Sequence, residues 1–207
     1  MEKEEKKVVL STFYEGFAVK QAILKLSPEK VIFLISDPPK AENKEKMLKE
    51  LGLIEDFYKK EIQFEKFKIS SYDISKIMKE VIIKIDEEYD KGNKILIHIT
   101  EGRKTSCLAT LFAAYMRREK IEGAYYITEE EHNLITLPLL NFQINNTKKE
   151  MLRKISEGNK DVISISGGSD LGKSAIYQNL KELKQEGYIA EVDKELVLTD
   201  LGKIMIL

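Results

Sequence analysis

The sequence predicts an α/β protein: a mostly parallel sheet covered by helices, followed by a small domain of helices and one hairpin. Three observations predict it. Short, mostly apolar runs at residues 8–13, 31–35, 95–99 and 124–127, the first three rich in Val, Ile and Leu, read as strands buried on both faces. The stretches between them carry apolar residues at helical spacing. After residue 145 the order changes to helices and then two short strands around Asp193-Lys194. Strands alternating with helices imply parallel pairing through right-handed crossovers.

Taken in order, residues 8–13 form a strand that leads into Ser11-Thr12-Phe13-Tyr14-Glu15-Gly16 and then a helix with Val19, Ala22, Ile23 and Leu26 on one face. Residues 31–35 form a second strand, closed by Asp37-Pro38-Pro39, which cannot be helical. Residues 44–53 read as a helix with Met47, Leu48 and Leu51 inward, and 64–69 as a strand near a sheet edge, because Lys66 and Lys68 alternate with apolar neighbours. Ser71 or Asp73 caps a long helix carrying Ile74, Ile77, Met78, Val81, Ile82, Ile85 and Tyr89. The strand at 95–99 follows, then a helix from Ser106 to about Lys120 with Leu108, Leu111, Phe112, Tyr115 and Met116 sharing one face. Past the strand at 124–127, residues 129–132 are a charged loop or hairpin, and 135–142, with Pro138 inside, are an edge strand or extended connector.

The chain has 207 residues, enough for one medium domain, placed at 1–144, and a small one at 145–207. With 33% charged and 43% hydrophobic residues it is globular, and a net charge of −1 gives no global attraction for nucleic acid. The single cysteine, Cys107, excludes an internal disulfide framework and a cysteine-based zinc site. His98, in a core strand, and His132, expected at the surface, are the only histidines, so no metal site is expected, nor any cofactor. Residues 1–7 are a charged tail rather than a signal peptide, and no apolar run approaches ~18 residues. A cytoplasmic protein with no membrane partner is expected.

In a Rossmann-like sheet, ligands sit at the carboxyl ends of strands where the connections diverge to opposite faces. Two loops fit: 11–16 after the first strand and 100–106, Thr-Glu-Gly-Arg-Lys-Thr-Ser, after the fourth. The second opens a helix, so unpaired backbone N–H groups and the positive end of the helix dipole converge there. Gly102 permits a tight bend, Arg103 and Lys104 add charge, and Thr100, Thr105 and Ser106 add hydroxyls. This suits a phosphate. The residues alone equally suit an ordinary loop whose hydroxyl caps the helix while the charges stay solvated.

The run Thr100-Glu101-Gly102-Arg103-Lys104 after a core strand resembles the second motif of CARF domains, the CRISPR-associated Rossmann-like ligand sensors, where the pattern is usually Thr-Gly-Gly-Arg/Lys-Lys. Glu101 departs from that pattern and sets a carboxylate beside the anion site. The resemblance extends to the first loop, where Ser11, Thr12 and Phe13 stand at the place of the family's first motif. It implies that Ser11, Thr12, Phe13 and residues 100–106 (Thr100, Glu101, Gly102, Arg103, Lys104, Thr105, Ser106) line a ligand site. It also implies that the ligand is a cyclic oligoadenylate, commonly the tetra-adenylate, and that the protein is a homodimer.

In the second domain, 148–156 reads as a helix behind Asn145-Asn146-Thr147, and 162–165 as a short strand. Residues 167–174, Gly-Gly-Ser-Asp-Leu-Gly-Lys-Ser, match the phosphate-binding P-loop, G-x-x-x-x-G-K-[ST]. Only 33 residues follow Ser174, too few for the parallel sheet such enzymes need. The same residues also read as the start of an amphipathic helix with Ile176, Leu180 and Leu183 inward, ended by Gly187, followed by a hairpin and Leu-Thr-Asp-Leu-Gly. That order resembles a winged helix-turn-helix of archaeal and bacterial regulators, with its second helix cut to 169–172. In such a fold the helix from 173 enters the major groove of double-stranded DNA, which would place Lys173, Ser174, Tyr177, Gln178, Asn179, Lys181 and Lys184 at the DNA, with Lys194 on the wing.

The whole chain thus resembles the CARF–winged-helix transcriptional regulators of CRISPR antiviral defence. The expectation is a non-enzymatic, DNA-binding regulator with no catalytic residues. A metal-independent ring nuclease, with Lys104 stabilising developing charge and Ser11 or Thr12 positioning the attacking hydroxyl, is the main alternative. A nucleotide-binding P-loop protein is the lesser one.

Overall fold

The structure, a computed structural model, describes residues 5–36, 41–140, 144–159, 161–166 and 172–206. It divides into two compact units, residues 1–139 and 140–207.

In the first unit the strands are β1 (Lys7–Thr12), β2 (Lys30–Ser36), β3 (Gln63–Ile69), β4 (Lys94–His98), β5 (Gly123–Ile127) and β6 (Leu134–Leu137). The helices are α1 (Phe17–Leu26), α2 (Ala41–Tyr58), α3 (Ile74–Asp90) and α4 (Lys104–Met116). One six-stranded sheet runs β3-β2-β1-β4-β5-β6; its first five strands are parallel and β6 returns antiparallel to β5. The mostly parallel α/β architecture agrees with the sequence. β3 and β6 are the two edges, which accounts for the charges alternating along β3 and for Pro138 just past β6.

The central strands are apolar throughout because both faces are covered. On one face Val9, Val31, Phe33 and Leu96 pack with Val19, Ala22 and Ile23 of α1 and Met47, Leu51 and Ile54 of α2. On the other, Val8, Leu10, Ile32, Leu34, Ile95 and Ile97 pack with Ile77, Val81 and Ile85 of α3 and Ala109, Ala113 and Ala114 of α4. One sequence assignment needs correction. Leu48 is exposed on α2, because the turn that buries Met47 and Leu51 leaves its neighbour outside. The apolar face of α4 also points outward: Leu108, Phe112 and Met116 are 47%, 40% and 58% exposed, while the small residues Ser106, Ala109, Thr110, Ala113 and Ala114 lie against the sheet and α3. Small residues permit close packing there and leave the large ones uncovered.

At the amino ends of the strands sits a buried ionic cluster. Lys30 Nζ bonds Glu65 at 2.7 Å and Glu88 at 2.9 Å, and Lys84 bonds Glu65 at 2.8 Å and Glu87 at 2.6 Å. Glu88 also accepts from Lys91 at 2.6 Å and from Asn93 Nδ2 at 2.8 Å. Burial opposes the charges of Lys30, Lys84, Glu65 and Glu88. For Lys30 and Lys84 the hydrogen bonds and opposite charges outweigh it and raise the pKa; for Glu65 and Glu88 they outweigh it and lower the pKa.

The second unit contains α5 (Asn146–Ser156), α6 (Val162–Ser166), α7 (Lys173–Gln185), the hairpin β7 (Ile189–Val192) and β8 (Glu195–Leu198), and α8 (Asp200–Ile204). Asn145 caps α5 by accepting from Lys148 N at 2.8 Å. Asp193 and Lys194 both have positive φ, 52° and 68°, which gives the two-residue turn the twist that a hairpin needs. Met151, Leu152, Ile155, Ile165, Ile176, Leu180, Leu183 and Tyr188 form its core. Gly202 lies so close to this core that a Cβ there would collide with the Tyr188 carbonyl oxygen. Residues 162–165, expected as a strand, are helical. β-branched residues favour a strand only weakly over so short a run, and Asp161 starts a helix by accepting from the N–H groups of Ile163 and Ser164, both at 2.9 Å. The P-loop pattern therefore lacks the strand that should precede it; its residues 167–171, and with them most of the expected 169–172 helix, lie outside the described residues, as do 37–39.

Candidate functional site

The sheet order creates one switch point. β1 and β4 lie side by side and parallel, with Ser11 opposite His98, yet α1 leaves toward one face and α4 toward the other. The loops after β1 and β4 flank the resulting crevice.

The turn after β4 is held from three sides. Thr100 Oγ1 accepts from Ile127 N at 2.7 Å and lies 2.8 Å from His98 Nε2. Gly102 has φ 103°, the left-handed region, and sits against Thr12 and the Phe13 backbone. Thr105 Oγ1 donates to Ser71 O at 2.8 Å, and Arg103 Nη1 donates to Tyr72 Oη at 2.7 Å with its guanidinium 4.7 Å from the Tyr72 ring. Lys104 is the first residue of α4 and is exposed.

The expected site residues therefore separate. Gly102, Arg103 and Lys104 come together at the start of α4 with access to solvent. The side chains of Ser11, Thr12 and Phe13 are buried and turned inward: Phe13 packs edge-on to Phe33 at 5.1 Å, and Ser11 bonds His98. Ser106 is buried as well, on the helix face that meets the core. The first strand thus supports the site rather than lining it with side chains, because it is central in the sheet and both its faces are covered. Cys107 is a packing residue; burial pushes its thiol pKa up, and Sγ lies 3.3 Å from the Glu101 carbonyl.

Glu101 has a role its sequence position did not announce. α1 opens on Gly16, which has no side chain with which to cap the helix. The cap comes from Glu101: Oε2 accepts from the N–H groups of Tyr14, Glu15 and Gly16 at 3.3, 3.0 and 2.6 Å, and Oε1 from Ala18 at 2.6 Å. Beside it is a cleft of about 310 Å³ whose lining includes Tyr14, Phe17, His132, Glu15, Glu129, Thr100 and Gly102. His132, expected at the surface, is half-buried with its ring 4.6 Å from that of Phe17. Tyr72 and this aromatic cleft went unnoticed in the sequence; the signal available was an aromatic residue in each loop at the carboxyl edge of the sheet.

His98 is fully enclosed, and burial pushes its pKa down to about 4. Ser11 Oγ donates its one proton to the Thr12 carbonyl at 3.1 Å, so towards Nδ1, 2.7 Å away, it accepts; this assigns the ring proton to Nδ1 and leaves Nε2 to accept from Thr100 Oγ1. Every member of the chain is satisfied with a neutral ring. Because the unfolded imidazole takes its proton near pH ~6.5 and the folded one only near 4, stability falls as pH drops through that window, by about 3 kcal/mol in all. Urea unfolding from pH 7 to 4 checks this: His98→Gln should flatten that part of the profile, and a parallel pair of curves would refute the enclosed neutral ring.

In the second unit, Lys173, Ser174, Tyr177, Gln178 and Lys181 share the exposed face of α7, and Lys194 is exposed at the hairpin tip. Gln178 Nε2 donates to Glu182 at 2.7 Å, and Lys184 is paired with Glu191 at 2.6 Å. Asn179 is misplaced in the expected set: it is half-buried beside the core residue Leu180, and its amide donates to the Ala175 carbonyl of its own helix at 2.8 Å. Among the described residues no group of three or more His, Cys, Asp or Glu side chains is placed to hold a metal ion, and no helix is long and apolar enough to cross a membrane.

Among known proteins, the family model described as "HFX_2341_N:-like, N-terminal" matches residues 9–132, which include both loops of the site. An uncharacterized protein of Archaeoglobus fulgidus is 24% identical over 163 residues, 70% of this chain and 73% of its own length. In fold, the chain is similar to Csm6 of Enterococcus italicus, solved bound to cyclic hexa-2'-fluoro-hexa-dAMP, with a TM-score of 0.60 and 12% identity over 88% of this chain and 55% of that one. It is also similar to a type III CRISPR defence DNA nuclease activated by cyclic oligoadenylate, with a TM-score of 0.50 and 17% identity over 64% of this chain and 20% of that one. The chain thus spans less than two thirds of either solved protein, and identities this low speak to the fold alone.

Proposed function

The chain belongs to the "HFX_2341_N:-like, N-terminal" family, and from that premise we propose that it is a sensor of a cyclic oligoadenylate, the tetra-adenylate in particular, that regulates transcription at a CRISPR locus through DNA binding by its second unit. The observation that carries the ligand half is the exposed Lys104 beside Arg103 at the start of α4, on the switch point between β1 and β4. A cation is unfavourable at the positive end of a helix unless an anion visits it. The adjacent cleft, with three aromatic or imidazole rings and two carboxylates, suits the amino-bearing edge of a purine and repels phosphate. The solved proteins of similar fold, one bound to a cyclic oligonucleotide and one activated by cyclic oligoadenylate, support the same ligand class.

The exposed face of α4 supports a homodimer. Its exposed Leu108, Phe112 and Met116 suit an isologous contact, and a two-fold axis along that stripe would bring two copies of the turn at its start to one ring-shaped ligand. In the second unit, α6 followed by α7 and the β7–β8 hairpin is the element order of a winged helix-turn-helix, with Lys173, Tyr177, Gln178 and Lys181 on the face that would enter the major groove. Acidic and basic residues balance over this unit, so affinity would rest on that stripe and fall steeply with salt.

A mobility shift on the promoter of the protein's own CRISPR locus, with and without cyclic tetra-adenylate, tests the reading. DNA binding that changes on adding ligand is expected; Gln178→Ala with Lys181→Ala should remove DNA binding and spare ligand binding, and Phe112→Glu should remove both the dimer and the ligand response. No binding to DNA in either condition would sink the regulatory half. Accumulation of linear oligoadenylate in the same mixtures would favour ring cleavage instead.

A further inference from the structure

We propose that Glu101 is a tethered anion: its carboxylate occupies the anion seat at the start of α1 for good, and so confines the phosphates of any ligand to the other end of the crevice, at α4. The seat is a run of backbone N–H groups at residues 14, 15, 16 and 18, bent by Gly16 at φ 85°, at the positive end of a ten-residue helix. Such a concavity takes carboxylate or phosphate oxygens alike. Here the occupant is visible. Four donors converge on one carboxylate at 2.6 to 3.3 Å, and it arrives from a strand end more than eighty residues away in the chain. The α1 N-terminus has no side-chain cap of its own.

Two consequences follow. Glu101 immediately precedes Gly102-Arg103-Lys104, so clamping its carboxylate fixes where that turn begins; Glu101 is a positioning residue for Arg103 and Lys104. The seat is also closed to external anions, and Glu15 and Glu129 are among the residues lining the neighbouring cleft. The charge that a carboxylate would otherwise present to an approaching phosphate is thereby spent on α1. The seat itself is independent of the ligand proposed above; only the confinement of ligand phosphates rests on that reading.

The test uses the full chain and inorganic anions. Glu101→Ala should melt several degrees lower than the native protein in low-salt buffer. Formate or inorganic phosphate should raise its melting temperature several-fold more than they raise that of the native protein, while chloride at matched ionic strength should not. Glu101→Gln keeps the volume and removes the charge; the amide proton resonances of Gly16 and Ala18 should move upfield, because a neutral acceptor polarises them less. Equal anion responses in native protein and Glu101→Ala would overturn the proposal. If Glu101→Ala does not fold, unmoved Gly16 and Ala18 resonances in Glu101→Gln would overturn it. Both readouts hold whether or not cyclic tetra-adenylate binds, so failure of the seat and failure of the sensor reading are told apart.

Discussion

Replacing Lys104 with alanine is expected to weaken binding of cyclic tetra-adenylate by at least about a hundredfold without lowering the melting temperature. A hydrogen bond to a charged group contributes roughly 1.5–3 kcal/mol, and the proposed dimer would lose two such contacts on one symmetric ligand, so about 3–6 kcal/mol, or two to four decades in affinity, is at stake. The fold loses nothing. Lys104 is exposed at the first position of α4, where alanine is the better helix former and a positive charge opposes the helix dipole. Isothermal titration with the ligand, beside a thermal melt and a DNA mobility shift, separates the outcomes. An alanine variant that binds the ligand as the native protein does would show that the phosphates are held elsewhere.

The largest effect on stability is expected at the opposite end of the sheet. Glu88 is 0% exposed and holds Lys30, Lys91 and Asn93 at once. Its lowered pKa means that the folded protein keeps it ionised, so the contribution is present at neutral pH and is lost as pH falls through the folded value. Glu88→Ala leaves Lys30 buried with Glu65 as its one remaining carboxylate partner among the contacts described, and removing one member of a buried ionic group costs about 3–5 kcal/mol. Urea unfolding at pH 7 should show a loss of that order with ligand affinity unchanged. A loss below about 1 kcal/mol would place Glu88 with ordinary surface pairs.

Several features were legible because they are local. Val31–Ile35 and Ile95–Ile97 are apolar without alternation because both sides of the sheet are covered. Ile176, Leu180 and Leu183 fall on one helical face whatever surrounds them, and Asp193-Lys194 is a turn by its own chemistry. The turn at Gly102 was legible for the same reason: a glycine between a core strand and a helix carries its own conformational meaning. The rest depends on distant residues. Periodicity located the apolar stripe of α4 but not its direction, since the alanines opposite it were the ones small enough to lie against α3 and the sheet. The segment 162–165 has a strand-like composition, and its capping Asp161 lies outside the run that sets the impression. Glu101 looked like a repulsive intruder beside a phosphate site because its four donors sit on a loop more than eighty positions earlier.

Gly202 brings α8 against the carbonyl of Tyr188 with no side chain between them, and Thr199 Oγ1 donates to the Gly187 carbonyl at 2.6 Å. Backbone gripping backbone leaves the hairpin no independent hinge against the terminal helix. A push on the hairpin would therefore carry α8 with it, in the manner of a lever arm.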